Sequence, residues 1–532
     1  ENVLTSHLRA SPLAICEERF LSLQSFFDMG IKLGSFVIFC LCFTLLFSFS
    51  TSVIVFPLTR AISGDRFAST NHLLKFTADR SAHRFRNHHR LQPKQVSLPL
   101  SQGSDYTLSF TLNTNPPQSV SLFLDTGSDL VWFPCHPFEC VLCEDKQPLG
   151  GIRPVNLSSS TASKVDCKSP SCSAVHSKLP SSDLCVISGC PLLSVEMSDC
   201  HSSPCPPFYY AYGDGSLVAR LFSASISLPL SSHPMIIPNF TFGCSHSSLG
   251  EPVGVAGFGQ GVLSLPAQLA SYNSQLGSTF SYCLVPQSFS SNQTKLPSPL
   301  ILGRVQDKKK RSGHSTSSNS QSNSVDQLPK FVYTSLLDNP KSPFFYLVGL
   351  ESTSVGKSNI PAPEFLKKVD KKGTGGMVVD SGTTFTMLPS VMYSNIVASF
   401  EEAMEGGYER AREVEANTGL GPCYYSSDGL LDVPELALTF SGSEKLRVML
   451  PTENYFYEFM DVSKAGTKRK VGCLMLMNGG DEKELAGGPG ATLGNFQQQG
   501  FQVVYDLEHK RVGFSRRECS SLWDSLNNGR RR

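Results

Sequence analysis

Two short stretches of this 532-residue chain carry the same small acidic turn. The first, SLFLDTGSDLVWFPC, runs from Ser121 to Cys135, and the second, GGMVVDSGTTFTMLP, from Gly375 to Pro389. Each sets Asp, then Thr or Ser, then Gly, directly after an apolar run. The two aspartates, Asp125 and Asp380, stand 255 positions apart. A single Asp in such a turn is ordinarily a turn-maker, because its carboxylate accepts bonds from nearby backbone N–H groups. A matched pair has another use. Two carboxylates brought close together cannot both ionise easily, so they hold one proton between them and titrate as a unit. The charged member can take a proton from a water while the neutral one hydrogen-bonds the carbonyl under attack. Such hydrolysis needs no nucleophilic side chain and forms no covalent intermediate.

The elements that must position this pair repeat as well. Val255-Ala256-Gly257 follows Asp125 by 132 residues, and Thr492-Leu493-Gly494 follows Asp380 by 114. The shared order predicts two related lobes, each lending one Asp to a common cleft, and a chain this long is expected to divide. From Tyr106 onward, short apolar or alternating runs such as YTLSFTL, SVSLFLD, NFTFGC, FFYLVGL and FQVVYDL are broken by Gly, Pro and Ser. These are strand signals, so the class is mostly β. Residues Pro389–Gly407 form the best helix candidate, opened by Pro and ended by Gly.

Other chemistries find little to stand on. The chain holds no G-x-S-x-G elbow and no H-E-x-x-H helix. GFGQG (Gly257–Gly261) lacks a following Lys-Ser/Thr and reads as a tight turn at a cleft floor; GGPG (Gly487–Gly490) reads as a loop. Cys140-Val-Leu-Cys143 has zinc-ligand spacing but no second pair to match it, so neither metal nor cofactor is expected. A net charge of +1 and the lack of a basic stripe argue against a nucleic-acid partner.

The charge is unevenly spread. Residues 1–100 hold 11 Lys and Arg against 6 acids, which leaves the remainder mildly acidic. Leu33 to Thr59 carries no charge and reads as a secretory leader, with an uncleaved anchor as the competing reading. Met29 opens a natural start to that leader. Residues 1–28 are therefore read as an upstream translation artefact, 29–59 as leader and 60–100 as a basic pro-segment. Leu73, Leu74, Phe76 and Phe85 suit a short helix there, lying over an acidic cleft until removed; a solvated linker is the plainer alternative. Of the 17 cysteines, nine fall between Cys135 and Cys205, which reads as a disulfide framework. Sequons at Asn156, Asn239 and Asn292 fit the same route. Residues 307–330 are basic, then Ser/Asn-rich, and read as an exposed, disordered loop. Residues 521–532 form a tail without the apolar run a lipid anchor requires.

DTGSDLVW, YGDGS (Tyr212–Ser216) and DSGTT, in that order, resemble the pepsin-type aspartic proteases. The crowded cysteines and ATLGNFQQQGFQVVYDLEHKRVGFS (Ala491–Ser515) resemble the plant nepenthesin-like branch, and the likeness spans roughly residues 101–520. It implies a mostly β, bilobal pepsin-like acid protease fold with lobes at 101–285 and 286–520. It also implies a secreted, acid-active aspartic endopeptidase of polypeptides, monomeric, without cofactor, held by its own pro-segment, in cell wall or vacuole.

By the same resemblance Asp125 and Asp380 are the catalytic pair, and Ser128 and Thr383 the hydroxyls that orient them. Tyr212 sits on a flap with Trp132 as its hydrogen-bond partner, and the substrate flanks are large and hydrophobic. Cys135–Cys205 is an inserted, stapled loop; Cys423 pairs with Cys473 and Cys283 with Cys519. The fourteen cysteines beyond the leader exceed the branch's usual set, which leaves a further bridge involving Cys244, or two free thiols. The His-rich stretch of the pro-segment gains charge in acid, which makes its release depend on pH. The rival implication is a catalytically dead binding or inhibitor protein, against which both turns stand intact.

Overall fold

The chain is described from a computed structural model, which covers residues 54–60, 69–87 and, with short breaks, 106–303 and 331–528. The breaks that bear on function are 177–203, 213–214 and 287–296. The expectations for residues 1–53, the loop 307–330, Asn292 and the His-rich stretch His83–Arg90 lie outside the described residues or side chains.

Eight elements carry the argument. They are β1 (Ile54–Arg60), α1 (Thr70–Asn87), β2 (Gln118–Asp125), β3 (Phe208–Tyr212), β4 (Gly215–Leu228), β5 (Val255–Gly257), β6 (Met377–Val379) and β7 (Ala491–Leu493). The residues from Leu122 to Asp125 are buried without interruption, as a strand covered on both faces requires of an apolar run. β2 pairs in parallel with β5, placing Asp125 opposite Gly257. β6 pairs in parallel with β7, placing Val379 opposite Leu493. The repeat read in the sequence is thus the same two-strand unit, built twice, with an acidic turn leaving each first strand. Around these units a 19-stranded sheet runs through both halves, and two four-stranded sheets complete the second half.

β3 and β4 form an antiparallel hairpin, with Tyr212 opposite Gly215. The helix expected over Pro389–Gly407 spans Ser390–Met404 with Pro389 as its N-cap, and it buries Met392, Ile396, Phe400 and Met404. That four-residue spacing keeps one face of a helix on the core. GFGQG backs the first acidic turn: the Phe258 N–H donates to the Asp125 carbonyl (2.7 Å) and the Gly259 N–H to the Ser128 carbonyl (2.7 Å).

One boundary needs correction. The uncharged run places the end of the leader at residue 59, yet Ile54–Arg60 is a core strand. It pairs with Ser298–Leu302 and touches the edge of Tyr106–Leu112, and Phe56 and Leu58 are fully buried. An uncharged apolar run is what the tail of a leader and a buried strand have in common, so periodicity alone merges them. Among the described residues no helix is long and apolar enough to cross a membrane.

α1 follows β1 and lies on the second half of the molecule. Leu73, Leu74, Ala78 and Ala82 pack among Phe385, Met387, Val414, Leu420, Phe459, Val471 and Met475. Each buried leucine contributes about 1.5–3 kcal/mol. Polar contacts fix the helix along its length. Asn71 donates to Asp461 (2.6 Å), and the Ser81 hydroxyl accepts from the Phe385 N–H (3.0 Å).

Disulfides join Cys283 to Cys519, Cys423 to Cys473, Cys135 to Cys244, Cys140 to Cys143 and Cys172 to Cys205. The additional bridge therefore includes Cys244. The Cys140–Cys143 spacing that left zinc open holds a bond between the two sulfurs instead. His176 lies beside Cys172 and Cys205, but those sulfurs are also bonded to each other and offer no thiolate.

Candidate active site

Asp125 closes β2, and Asp380 directly follows β6. Each carboxylate is held by its own turn in the same way. Asp125 Oδ1 accepts from the Gly127 N–H (2.9 Å) and Oδ2 from the Ser128 hydroxyl (2.5 Å). Asp380 Oδ1 accepts from the Gly382 N–H (2.8 Å) and Oδ2 from the Thr383 hydroxyl (2.6 Å). Two donors per carboxylate fix its plane.

The two turns are also tied to each other. Thr126 donates its N–H to Ser381 Oγ (3.1 Å) and its hydroxyl to the Val379 carbonyl (2.9 Å). Ser381 answers with its N–H to Thr126 Oγ1 (2.9 Å) and its hydroxyl to the Leu124 carbonyl (3.1 Å). The glycines complete the match. A Cβ on Gly127 would lie 2.8 Å from Asp380 Cγ, and one on Gly382 would collide with the Asp125 carboxylate. Each turn thus passes its glycine backbone against the other's carboxylate, an approach that any side chain would block.

Behind the turns lies a buried polar layer. Asn495 donates to the Ser381 carbonyl (2.9 Å), and Gln498 to the carbonyls of Leu493 (2.8 Å) and Asp380 (3.3 Å). Tyr282 donates to Gln498 Oε1 and shares a 2.7 Å bond with Tyr505. Burial pushes both phenols well above their ordinary value, so they stay neutral donors.

Into this site reaches Arg84 of α1. Its Nη2 pairs with Asp125 Oδ1, and its Nε lies 3.3 Å from Asp380 Oδ2. All three side chains are almost wholly buried. Burial raises the Asp125 carboxyl above the ordinary range; Arg84 opposes this and the neighbouring Asp380 adds to it.

Trp132 is buried at 1% among Phe208 and Leu217 of the β3–β4 hairpin. Tyr212 ends β3, and its side chain lies outside those described. A different tyrosine of β3 does reach the loop that follows Asp125: the Tyr210 hydroxyl donates to Asp129 Oδ1 (2.8 Å). Asn156 and Asn239 are both exposed.

Comparison with known proteins gives these observations a family. Residues 106–304 match the family model described as xylanase inhibitor N-terminal, and residues 345–516 the one described as xylanase inhibitor C-terminal. A probable aspartyl protease of Arabidopsis thaliana is 58% identical over 435 residues, covering 81% of this chain and 85% of that one. This chain belongs to the plant aspartic proteases.

Aspartic proteinase nepenthesin-2 of Nepenthes gracilis is 29% identical, over 80% of this chain and 81% of its own. Among solved structures, conglutin gamma, a basic 7S globulin from lupine seeds, aligns with a TM-score of 0.55 at 21% identity, covering 87% of this chain and 95% of that one. Basic 7S globulin from soybean gives 0.54 at 18%, covering 88% and 99%. These likenesses give the fold, the two-lobed pepsin-like one.

For this plant aspartic protease, sequence reasoning placed both aspartates and their hydroxyls but missed Arg84, Tyr210, Asp129 and the layer of Gln498, Tyr282 and Tyr505. Arg84 had a signal. With Leu73, Thr77 and Arg80 it falls on one helical stripe, so two arginines on the face that carries Leu73 marked partners to be found.

Proposed function

We propose that the chain is the zymogen of a secreted, acid-active aspartic endopeptidase, held inactive by its own residues 70–87. Support comes above all from one observation: two fully furnished carboxylates face each other, and a single arginine of the pro-segment helix is paired with both. A guanidinium there neutralises the pair and fills the place where a water and a peptide carbonyl would meet.

Once α1 leaves, Asp125 and Asp380 share a proton. The ionised member draws a proton from water, and the oxygen of that water adds to the scissile carbonyl carbon. The protonated member donates a hydrogen bond, then its proton, to the carbonyl oxygen. The tetrahedral intermediate collapses as the nitrogen takes a proton from the pair and departs as the amine, while one hydroxyl of the intermediate returns its proton to the pair and becomes the new carbonyl. Ser128 and Thr383 hold each carboxylate in plane throughout, and the ties between Thr126 and Ser381 keep the two at fixed separation. The β3–β4 hairpin is the lid that closes over substrate and excludes water.

Acid release follows from the charges. Arg84 favours the ionised form of Asp125 against the burial that raises it. Lowering the pH protonates that carboxyl, removes the charge the guanidinium is paired with and weakens the dock. Secretion is supported by the disulfides, and Asn156 and Asn239 are exposed where a glycan would attach. The mature enzyme acts as a monomer on polypeptides, in the cell wall or vacuole.

The test is full-length protein made through a secretory route and then acidified. Cleavage of an unfolded protein substrate is followed across pH, with and without pepstatin, beside Asp380→Asn. Acid-dependent cleavage, blocked by pepstatin and lost in the variant, supports the reading. A folded protein freed of α1 that cleaves nothing at any pH overturns it in favour of a binding protein.

A further inference from the structure

The manner in which α1 fills the cleft carries information about what the cleft selects. Arg84 is occupied by the carboxylate pair, but Arg80, one turn earlier, is buried to 7% exposure and has a different surface beneath it. Its guanidinium carbon stands 5.3 Å from the centre of the Phe123 ring. Phe123 precedes Asp125 by two residues on β2. Strand alternation therefore turns both side chains to the same face. The ring is also rigidly held. It packs with Leu130, Trp132 and Val255, and the Phe123 N–H donates to the Gly254 carbonyl (3.0 Å).

An aromatic face attracts a cation and favours the flat guanidinium over a compact ammonium. When α1 leaves, that face is uncovered beside the first catalytic aspartate. We propose that the Phe123 ring floors a substrate subsite that takes a basic side chain, arginine above lysine, close to the scissile bond, and that Arg80 fills this subsite in the zymogen. The inference rests on the protease reading above. At this one position it replaces the expectation of a large hydrophobic residue that the family resemblance raised.

The experiment uses acid-activated protein from the full chain and peptides differing at a single position, scanned on both sides of the scissile bond with Arg, Lys, Met and Leu. At one position, Arg should exceed Met by roughly tenfold in kcat/KM, with Lys between them. Phe123→Leu should reduce that ratio to about one, whereas Phe123→Tyr, which keeps the aromatic face, should retain most of it. The ratio is internal to each variant, so a general loss of activity does not imitate the result. If no position favours Arg, or if the preference survives in Phe123→Leu, the subsite is overturned while the protease stands. If no peptide of any kind is cleaved, the protease reading falls and the subsite with it. Should Phe123→Leu fail to fold, the wild-type scan and Phe123→Tyr still decide the matter, because absence of an Arg preference in both overturns the proposal.

Discussion

Thr126 and Ser381 exchange hydrogen bonds across the two acidic turns, each giving its N–H to the other's hydroxyl oxygen and its own hydroxyl to a carbonyl of the strand feeding the opposite turn. Four buried bonds thereby make one rigid object of two loops that come from opposite halves of the sequence. Thr126→Ala removes the two that use its hydroxyl and leaves the Ser381 N–H unpaired in the interior. An unfilled buried donor costs about 1–3 kcal/mol, so Tm should fall by several degrees. The stronger consequence is for rate: kcat should drop by at least about tenfold with KM little changed. A kcat equal to that of the parent would show that the carboxylates hold their spacing without this tie.

Arg84 is predicted to set the pH at which activity appears. In Arg84→Met the ion pair that holds α1 over the two carboxylates is gone, so the helix binds more weakly and activity should extend toward neutrality. The sign for stability is separate. Asp125 is raised above the ordinary carboxylate range. Its contribution is fully present below that range and is lost as pH rises through the folded value. Removing the opposing cation raises Asp125 further, so the fall in Tm from acid to neutral buffer should be larger in Arg84→Met than in the parent. Activity–pH profiles and melting curves of the two proteins check both expectations.

The bond between Tyr210 and Asp129 fixes the β3–β4 hairpin to the loop that follows Asp125. Tyr210→Phe should raise KM by about threefold to tenfold and alter kcat less. Asp129→Asn, whose amide oxygen still accepts, should behave much like the parent, and Asp129→Ala like Tyr210→Phe. If the double variant Tyr210→Phe, Asp129→Ala shows the two penalties simply added, the pair does not act through its bond.

Gly382→Ala places a methyl against the Asp125 carboxylate. The turn must shift to accommodate it, and misplacement of a reacting group by about 1 Å can cost a hundredfold in rate. Activity should fall by that order, with the melting temperature lowered more modestly. Gly406→Ala is a useful contrast: a Cβ there meets nothing within 4 Å, although its φ of +75° still strains an alanine, so Gly406→Ala should lose some stability and keep its rate.

What the sequence made legible was whatever repeats or alternates. The two Asp-x-Gly turns, the strands feeding them and the helix at Ser390–Met404 follow from short-range pattern, and the structure sets Asp125 and Asp380 within reach of one arginine. Three things were not legible. β1 was merged with the leader because a buried strand and a signal segment are both uncharged apolar runs. Tyr210 stood in the shadow of Tyr212, since YGDGS drew the reading two residues downstream. The layer of Gln498, Tyr282 and Tyr505 joins residues more than 200 positions apart, and no local pattern encodes such a pairing.

α1 does not hang from a free end. It is preceded by β1, which is hydrogen-bonded along Ser298–Leu302 and sealed into the core by Phe56 and Leu58. A single cut between α1 and Tyr106 would therefore leave the helix on a leash about nine residues long, the stretch from Arg60 to Thr70. A leash that short holds its load at millimolar effective concentration. The cut enzyme would be blocked again each time the medium returned to neutrality, and activation would become irreversible only when a second cut falls within the leash or the strand itself is drawn from the sheet.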